Sequence, residues 1–148
     1  LLSTAAFRTT KDKKKVQAVL TSMREKGIAP ILTTLTERWF TDQFIKERFT
    51  DVEFRLEQVL ETDPEVFLDV FRIYVETEMS PWLNKIKHPC LVLTGENDGG
   101  CSPRLNHLIA ESLSNSELCI LKNYKHSLLI EAPREVGEKV RKFLLKQS

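Results

Sequence analysis

The run Cys90-Leu91-Val92-Leu93-Thr94 constrains this chain more than any other stretch. It is continuously apolar, without the polar alternation that lets a strand show one face to water, so it is expected to be a strand buried on both faces. Such a strand requires neighbours in the sheet and helices above and below it. The residues that follow supply part of that setting. After the glycine-rich segment Gly95 to Gly100, Pro103 opens a helix that turns Leu105, Leu108, Ile109 and Leu113 inward. Leu118-Cys119-Ile120-Leu121 reads as a second strand, and a final helix gathers Val136, Val140, Phe143 and Leu144. Strand, helix, strand, helix is a βαβα unit, and its two strands are expected to be parallel. Two strands do not complete such a sheet, and open apolar edges invite aggregation. Leu1-Leu2-Ser3-Thr4-Ala5 suits the end of a third strand, which still leaves the sheet short. The chain is therefore expected to be a fragment, or to assemble with something that finishes the sheet.

Ahead of Pro89 the periodicity is helical. Val16, Val19, Leu20 and Met23 recur at helical spacing and Gly27 closes that helix. Ile31, Leu32, Leu35 and Trp39 form a second stripe, with Pro30 in its first turn. Thr50-Asp51-Val52-Glu53 has the spacing of a capping box, flanked by Phe49 and Phe54 as a staple. That helix is expected to bury Val52, Leu56, Val59 and Leu60. Asp63-Pro64 starts another, with Phe67, Val70, Phe71 and Tyr74 on one face, and Ser80-Pro81 opens a short turn through Ile86. The expected organisation is a strand end and linker over residues 1–10, a helical region over 11–79 and an α/β part over 80–148.

The charge balance excludes some functions. Lys and Arg number 22 against 21 Asp and Glu, so no strong field favours nucleic acid or an anionic membrane. No apolar run approaches the ~18 residues a membrane span needs. The three cysteines, Cys90, Cys101 and Cys119, have no metal-ligand spacing, and an odd count argues against a disulfide framework. A reducing, cytoplasmic setting follows, with no metal and no cofactor. No signal peptide is visible, although a chain that opens with Leu1 is expected to lack its true N-terminus. Cys90 and Cys119 are expected to be buried and inert within strands, and Cys101 to lie on a loop.

Two residues then stand out. In an open parallel sheet, functional groups collect on the loops leaving the C-terminal ends of the strands. Asp98 lies four residues beyond Thr94, and His126 five residues beyond Leu121. Adjacent strands are ~4.8 Å apart, so these loops emerge side by side. A carboxylate there can accept the Nδ1 proton of the imidazole and leave Nε2 as a general base. The residues alone equally permit a solvated aspartate and a histidine that merely packs, since loops are polar in any case.

The stretch from Ile86-Lys87-His88-Pro89 through the strand to Gly95-Glu96-Asn97-Asp98 resembles the acid-bearing strand and loop of α/β-hydrolases. Tyr124-Lys125-His126-Ser127-Leu128-Leu129-Ile130-Glu131-Ala132-Pro133 is similar to that family's histidine loop, and the order of acid, histidine and terminal helix matches. The helical first half resembles the cap inserted before the acid-bearing strand. The resemblance implies the C-terminal part of an α/β-hydrolase fold, with Asp98 and His126 as acid and base of a catalytic triad. Two departures concern the loops: Lys125 stands where the family commonly has Gly, and Gly99-Gly100-Cys101 replaces bulkier residues, which would loosen the acid loop.

The larger departure is the nucleophile. The family's serine sits in Gly-x-Ser-x-Gly, and no serine here has glycine two residues away on both sides; Ser102 follows Gly100 but precedes Arg104. In the cap, Thr36-Glu37-Arg38-Trp39-Phe40-Thr41 is similar to a segment of 3-oxoadipate enol-lactonases. The likeness implies Arg38 and Trp39 as substrate-binding residues, a clamp for a substrate carboxylate and an apolar wall. Trp39 also continues the stripe of Ile28, Ile31 and Leu35, and Arg38 fits a solvated helix face equally well. His88 is expected to be structural, His107 exposed, and Lys11 to Lys15 a solvated helix start. The expected activity is hydrolysis of a small-molecule ester or lactone, with the chain inactive until its missing half supplies the serine. The alternative is a non-catalytic remnant or binding module.

Overall fold

In a computed structural model that describes residues 1–147, the apolar run forms strand β1 (Cys90–Gly95). Strand β2 (Ser116–Leu121) lies beside it in parallel, from Cys90 opposite Ser116 to Gly95 opposite Leu121. The helix between them, α6 (Pro103–Ser112), makes the crossover that parallel pairing demands. β1 also pairs with the first residues of the chain. Leu2 bridges Leu93 in parallel, the amide of Ser3 donates to Leu93 O at 2.8 Å, and Leu93 N donates to Leu1 O at 2.9 Å. β1 is thereby the central element, and β2 and residues 1–3 flank it.

Helices cover the sheet as its apolar strands require. Val92 is fully buried in a cluster with Ala6, Leu83, Ile109 and Leu113, while Leu93 is buried with Leu121, Leu128, Ala132 and Val136. Successive side chains of a strand point to opposite faces, so two adjacent residues of β1 anchor two separate cores. The second core comes from the short helix α7 (Leu128–Glu131) and the terminal helix α8 (Pro133–Leu145).

The chain divides into two compact units. Residues 1–7, 38–41 and 78–148 form the α/β unit just described, and residues 8–37 and 42–77 form a helical one. The helical unit contains α1 (Thr10–Lys26), α2 (Leu32–Trp39, whose last two residues belong to the α/β unit), α3 (Asp42–Glu47), α4 (Phe49–Glu61) and α5 (Pro64–Glu76). Gly27 ends α1 at φ 82°, a conformation that favours glycine. Among the described residues no helix is long and apolar enough to cross a membrane.

Several local expectations need correction. The capping box forms at Thr9 and Asp12, whose side chains and amides bond reciprocally, and not at Thr50. α4 starts two residues earlier than a cap at Thr50 implies, at Phe49, because Arg48 O accepts from Asp51 N and Val52 N. Thr50 is then inside the first turn, where it cannot cap, and Phe49, Phe54 and Leu60 are exposed. Val70 is exposed as well. Glu65, Asp69, Arg72 and Glu76 line one narrow charged face of α5, and the rest of its surface is apolar, wider than a single contact face, so the pattern does not fix which part of it is buried. In α8, Val136 is buried but Val140 and Leu144 are exposed. Cys90 and Cys119 are only half-buried, while the loop residue Cys101 is buried.

Gly95 is the tightest point of the sheet. A Cβ there would collide with the backbone carbonyls of Tyr124 and Lys125, neither of which can swing aside as a side chain would. Gly95→Ala is expected to destabilise the fold by about 3 kcal/mol, read as a lowered urea midpoint with unchanged slope. A midpoint within error of the unsubstituted chain would show that the two loops are free to separate.

Candidate active site

The acid loop is built around one side chain. Beyond β1 the chain turns back, and Asp98 Oδ1 accepts the amides of Gly100 at 2.9 Å and Cys101 at 2.8 Å. An aspartate bonding the backbone two and three residues ahead is the standard means of closing such a turn. Cys101 O in turn accepts from Thr94 Oγ1 at 2.8 Å and Asn106 Nδ2 at 2.7 Å. The glycines at 99 and 100 therefore do not loosen this loop: the amide of Gly100 is one of its ties. With Oδ1 so engaged, Oδ2 is left to face the second loop.

His126 meets it there. The chain leaves β2, passes Asn123 in the left-handed region at φ 65°, and brings His126 Nδ1 to 2.7 Å from Asp98 Oδ2. The histidine loop is held by its backbone. The amides of His126 and Ser127 both donate to Trp39 O, at 3.1 and 2.9 Å, and Ser3 Oγ donates to His126 O at 3.1 Å. Glu131 adds a clamp, its carboxylate accepting from Thr41 N at 2.7 Å, Thr41 Oγ1 at 2.8 Å and Lys125 N at 3.3 Å. Lys125 thus enters through its amide.

The electrostatics follow from this geometry. Asp98 is only 3% exposed, and burial by itself would push its carboxyl up. The imidazole of His126 and the two loop amides outweigh that and hold it below the ordinary carboxylate range. For His126 burial would favour the neutral ring, yet the Asp98 carboxylate, with a smaller contribution from Cys101, raises it to about 10. At neutral pH the pair is therefore a carboxylate and an imidazolium. Nδ1 is committed to Asp98, which leaves Nε2 as the ring nitrogen able to exchange a proton with another group.

The structure brings Asp98 and His126 together, as the strand positions predict. Arg38 is exposed and Trp39 half-buried, and both lie in the segment that joins the α/β unit. Trp39 reaches the histidine loop through its carbonyl, a role no side-chain pattern announces. Three contributors escape sequence reasoning. Glu131 is visible in the histidine-loop motif but without a role. Asn106 is fully buried between Leu105 and Ile109, and its polarity at a core position of α6 is a usable signal. Cys101 comes close to both members of the pair: a carboxylate oxygen, its Sγ and a ring nitrogen all lie within 4.8 Å of one another, a set able to hold a metal ion.

No family profile matches the chain. Over 124 residues it is 27% identical to 3-oxoadipate enol-lactonase 2 of Acinetobacter baylyi, covering 84% of this chain and 46% of the relative. The enol-lactonase of Burkholderia xenovorans superposes with a TM-score of 0.81 at 20% identity, over 86% of this chain and 49% of that one. MGS-M2, an α/β hydrolase from a deep-sea metagenome, gives 0.79 at 20% identity, over 97% and 54%. The chain thus spans about half the length of the proteins it matches.

The Asp98–His126 pair is expected to show itself in titration. By NMR the His126 ring is expected to titrate near pH 10, and Asp98→Asn to return it toward the ordinary 6.5. Because the folded value lies above the unfolded one, the pair's contribution to stability is complete below about pH 6.5 and is lost as pH rises through about 10. A midpoint for His126 that Asp98→Asn does not move would dissolve the pair.

Proposed function

We propose, for a chain that has the C-terminal part of an α/β-hydrolase fold, that it contributes the acid and the base of a serine-type esterase or lactonase. The observation that carries this reading is the 2.7 Å contact between Asp98 Oδ2 and His126 Nδ1, made by two loops that leave adjacent parallel strands. In this role Asp98 fixes the ring and stabilises the imidazolium, while Nε2 takes the proton of a hydroxyl and later returns it to the leaving group. The ring acts as base only in its neutral state, so the resting imidazolium has to give up a proton once a nucleophile and substrate exclude water from Nε2.

The serine and the oxyanion donors come, in this proposal, from a polypeptide outside these residues. Two features support that. The sequence has no Gly-x-Ser-x-Gly. Leu1 and Leu2 at the sheet edge, and Val140 and Leu144 of α8, leave apolar surface open that further strands and helices would cover. The helical unit corresponds to the cap. Arg38 is proposed as a clamp for an anionic ester or lactone and Trp39 as an apolar wall beside it. Their support is the tie of Trp39 O to His126 N, which fixes this segment against the histidine loop. The relatives named for enol-lactone hydrolysis favour a small anionic lactone as substrate.

The test compares this chain alone with the same chain preceded by the polypeptide encoded upstream of Leu1. Alone it is expected to resist a serine-directed phosphonate and to hydrolyse activated esters no faster than its His126→Ala variant, because a base without a positioned hydroxyl and oxyanion hole is a weak catalyst. The extended chain is expected to be labelled, and there His126→Ala should cost about 10⁴-fold or more in kcat. Robust His126-dependent turnover by the short chain, or an inert extended chain, would overturn the proposal; the latter would favour a non-catalytic module. In the active form Arg38→Ala is expected to raise KM about tenfold for an anionic lactone, as loss of a charge-assisted hydrogen bond implies, and to leave a neutral ester unchanged. Equal effects on both would return Arg38 to the solvated surface.

A further inference from the structure

Cys101 sits three residues beyond Asp98 and 25 before His126, a spacing no zinc motif uses, yet folding gathers all three. We infer that Asp98, Cys101 and His126 form a binding site for a thiophilic divalent cation, zinc foremost. A carboxylate oxygen, the Sγ of Cys101 and a ring nitrogen of His126 lie within 4.8 Å of one another. A tetrahedral zinc with bonds of ~2.0–2.3 Å holds its ligand atoms ~3.3–3.6 Å apart. Side-chain adjustments of about an ångström close the set around an ion of that size. The 2.7 Å between Nδ1 and Oδ2 is the separation of a shared proton, and the ion takes that proton's place as the two atoms part by roughly 0.6 Å.

The ligands are also held as a metal site requires. Asp98 Oδ1 is fixed by the amides of Gly100 and Cys101, which directs Oδ2 inward. The backbone of Cys101 is pinned at both ends, through its amide to Asp98 and through its carbonyl to Thr94 and Asn106. Cys101 is 1% exposed and Asp98 3%, so the site is screened from water on that side. The His126 side chain is 36% exposed, and that edge admits the ion and leaves room for water as fourth ligand. One nitrogen, one oxygen and one sulfur suit a borderline-soft cation and disfavour magnesium or calcium, which take oxygen ligands. On binding, the thiol and the imidazolium Nδ1 each release a proton to solvent, and the ring keeps its other proton at Nε2. An ion seated here removes His126 from proton transfer. That consequence, reversible inhibition by zinc, rests on the catalytic reading above, whereas binding does not.

The test therefore reads binding directly. Cobalt(II), as a spectroscopic stand-in for zinc, is titrated into the reduced 148-residue chain carrying Cys90→Ser and Cys119→Ser. The expected result is one equivalent bound with a thiolate-to-cobalt charge-transfer band, which zinc then displaces. Adding Cys101→Ser is expected to abolish the band, and Asp98→Asn or His126→Ala to weaken binding at least tenfold, while His88→Ala and His107→Ala change nothing. A measurement without substitutions guards against variants that fail to fold: in the unaltered chain, zinc should slow alkylation of Cys101 and leave Cys90 and Cys119 unaffected, read by mass spectrometry. No band, a band that survives Cys101→Ser, or alkylation indifferent to zinc would overturn the site.

Discussion

The parallel pairing of β1 with β2 is the constraint on which everything else in the α/β unit depends. Parallel strands run in the same direction, so both release their chains at the same edge. The register, which sets Gly95 opposite Leu121, ends the two strands level with each other. Glu96 N then donates to Leu121 O at 2.8 Å and Asn97 N to Tyr124 O at 2.9 Å, so the two loops are joined before they reach Asp98 and His126. A shift of one residue would turn Val92 and Leu93 to the wrong faces, and both cores would lose their centres together.

From that shared edge the site is assembled by backbone groups more than by side chains. The acid loop is closed by amides on Asp98, and the histidine loop hangs from the carbonyl of Trp39 and the carboxylate of Glu131. Backbone ties of this sort fix a loop without specifying its residues. Lys125 can therefore precede His126, and two glycines can follow Asp98, while the Asp98–His126 contact stays short. Burial then sets the chemistry. A nearly inaccessible carboxylate without a partner would hold its proton; facing the imidazole it is ionised and draws the ring to the charged state. The same enclosure brings a thiol beside both, so that a carboxylate oxygen, a sulfur and a ring nitrogen lie within 4.8 Å of one another.

The sequence by itself determined the strands, their direction and the two residues at their ends. The continuous apolar run at Cys90 to Thr94 fits a strand buried on both faces, and a second strand after one crossover helix fits a parallel pair. Asp98 and His126 were legible because they follow those strands by a few residues, in segments that resemble the acid and histidine loops of α/β-hydrolases. Hydrophobic pattern and loop position are properties of the chain read in order, which is why they survive without coordinates. Tertiary structure alone decided what depends on partners distant in sequence. It chose which part of the wide apolar surface of α5 is buried. It also joined Thr41 to Glu131 and Trp39 to His126, and it gathered Cys101 with Asp98 and His126. The contacts of Thr41 with Glu131, of Trp39 with His126 and of Cys101 with His126 span long stretches of chain, with no period or spacing to announce them, because their geometry exists only once two strands have paired and two loops have met.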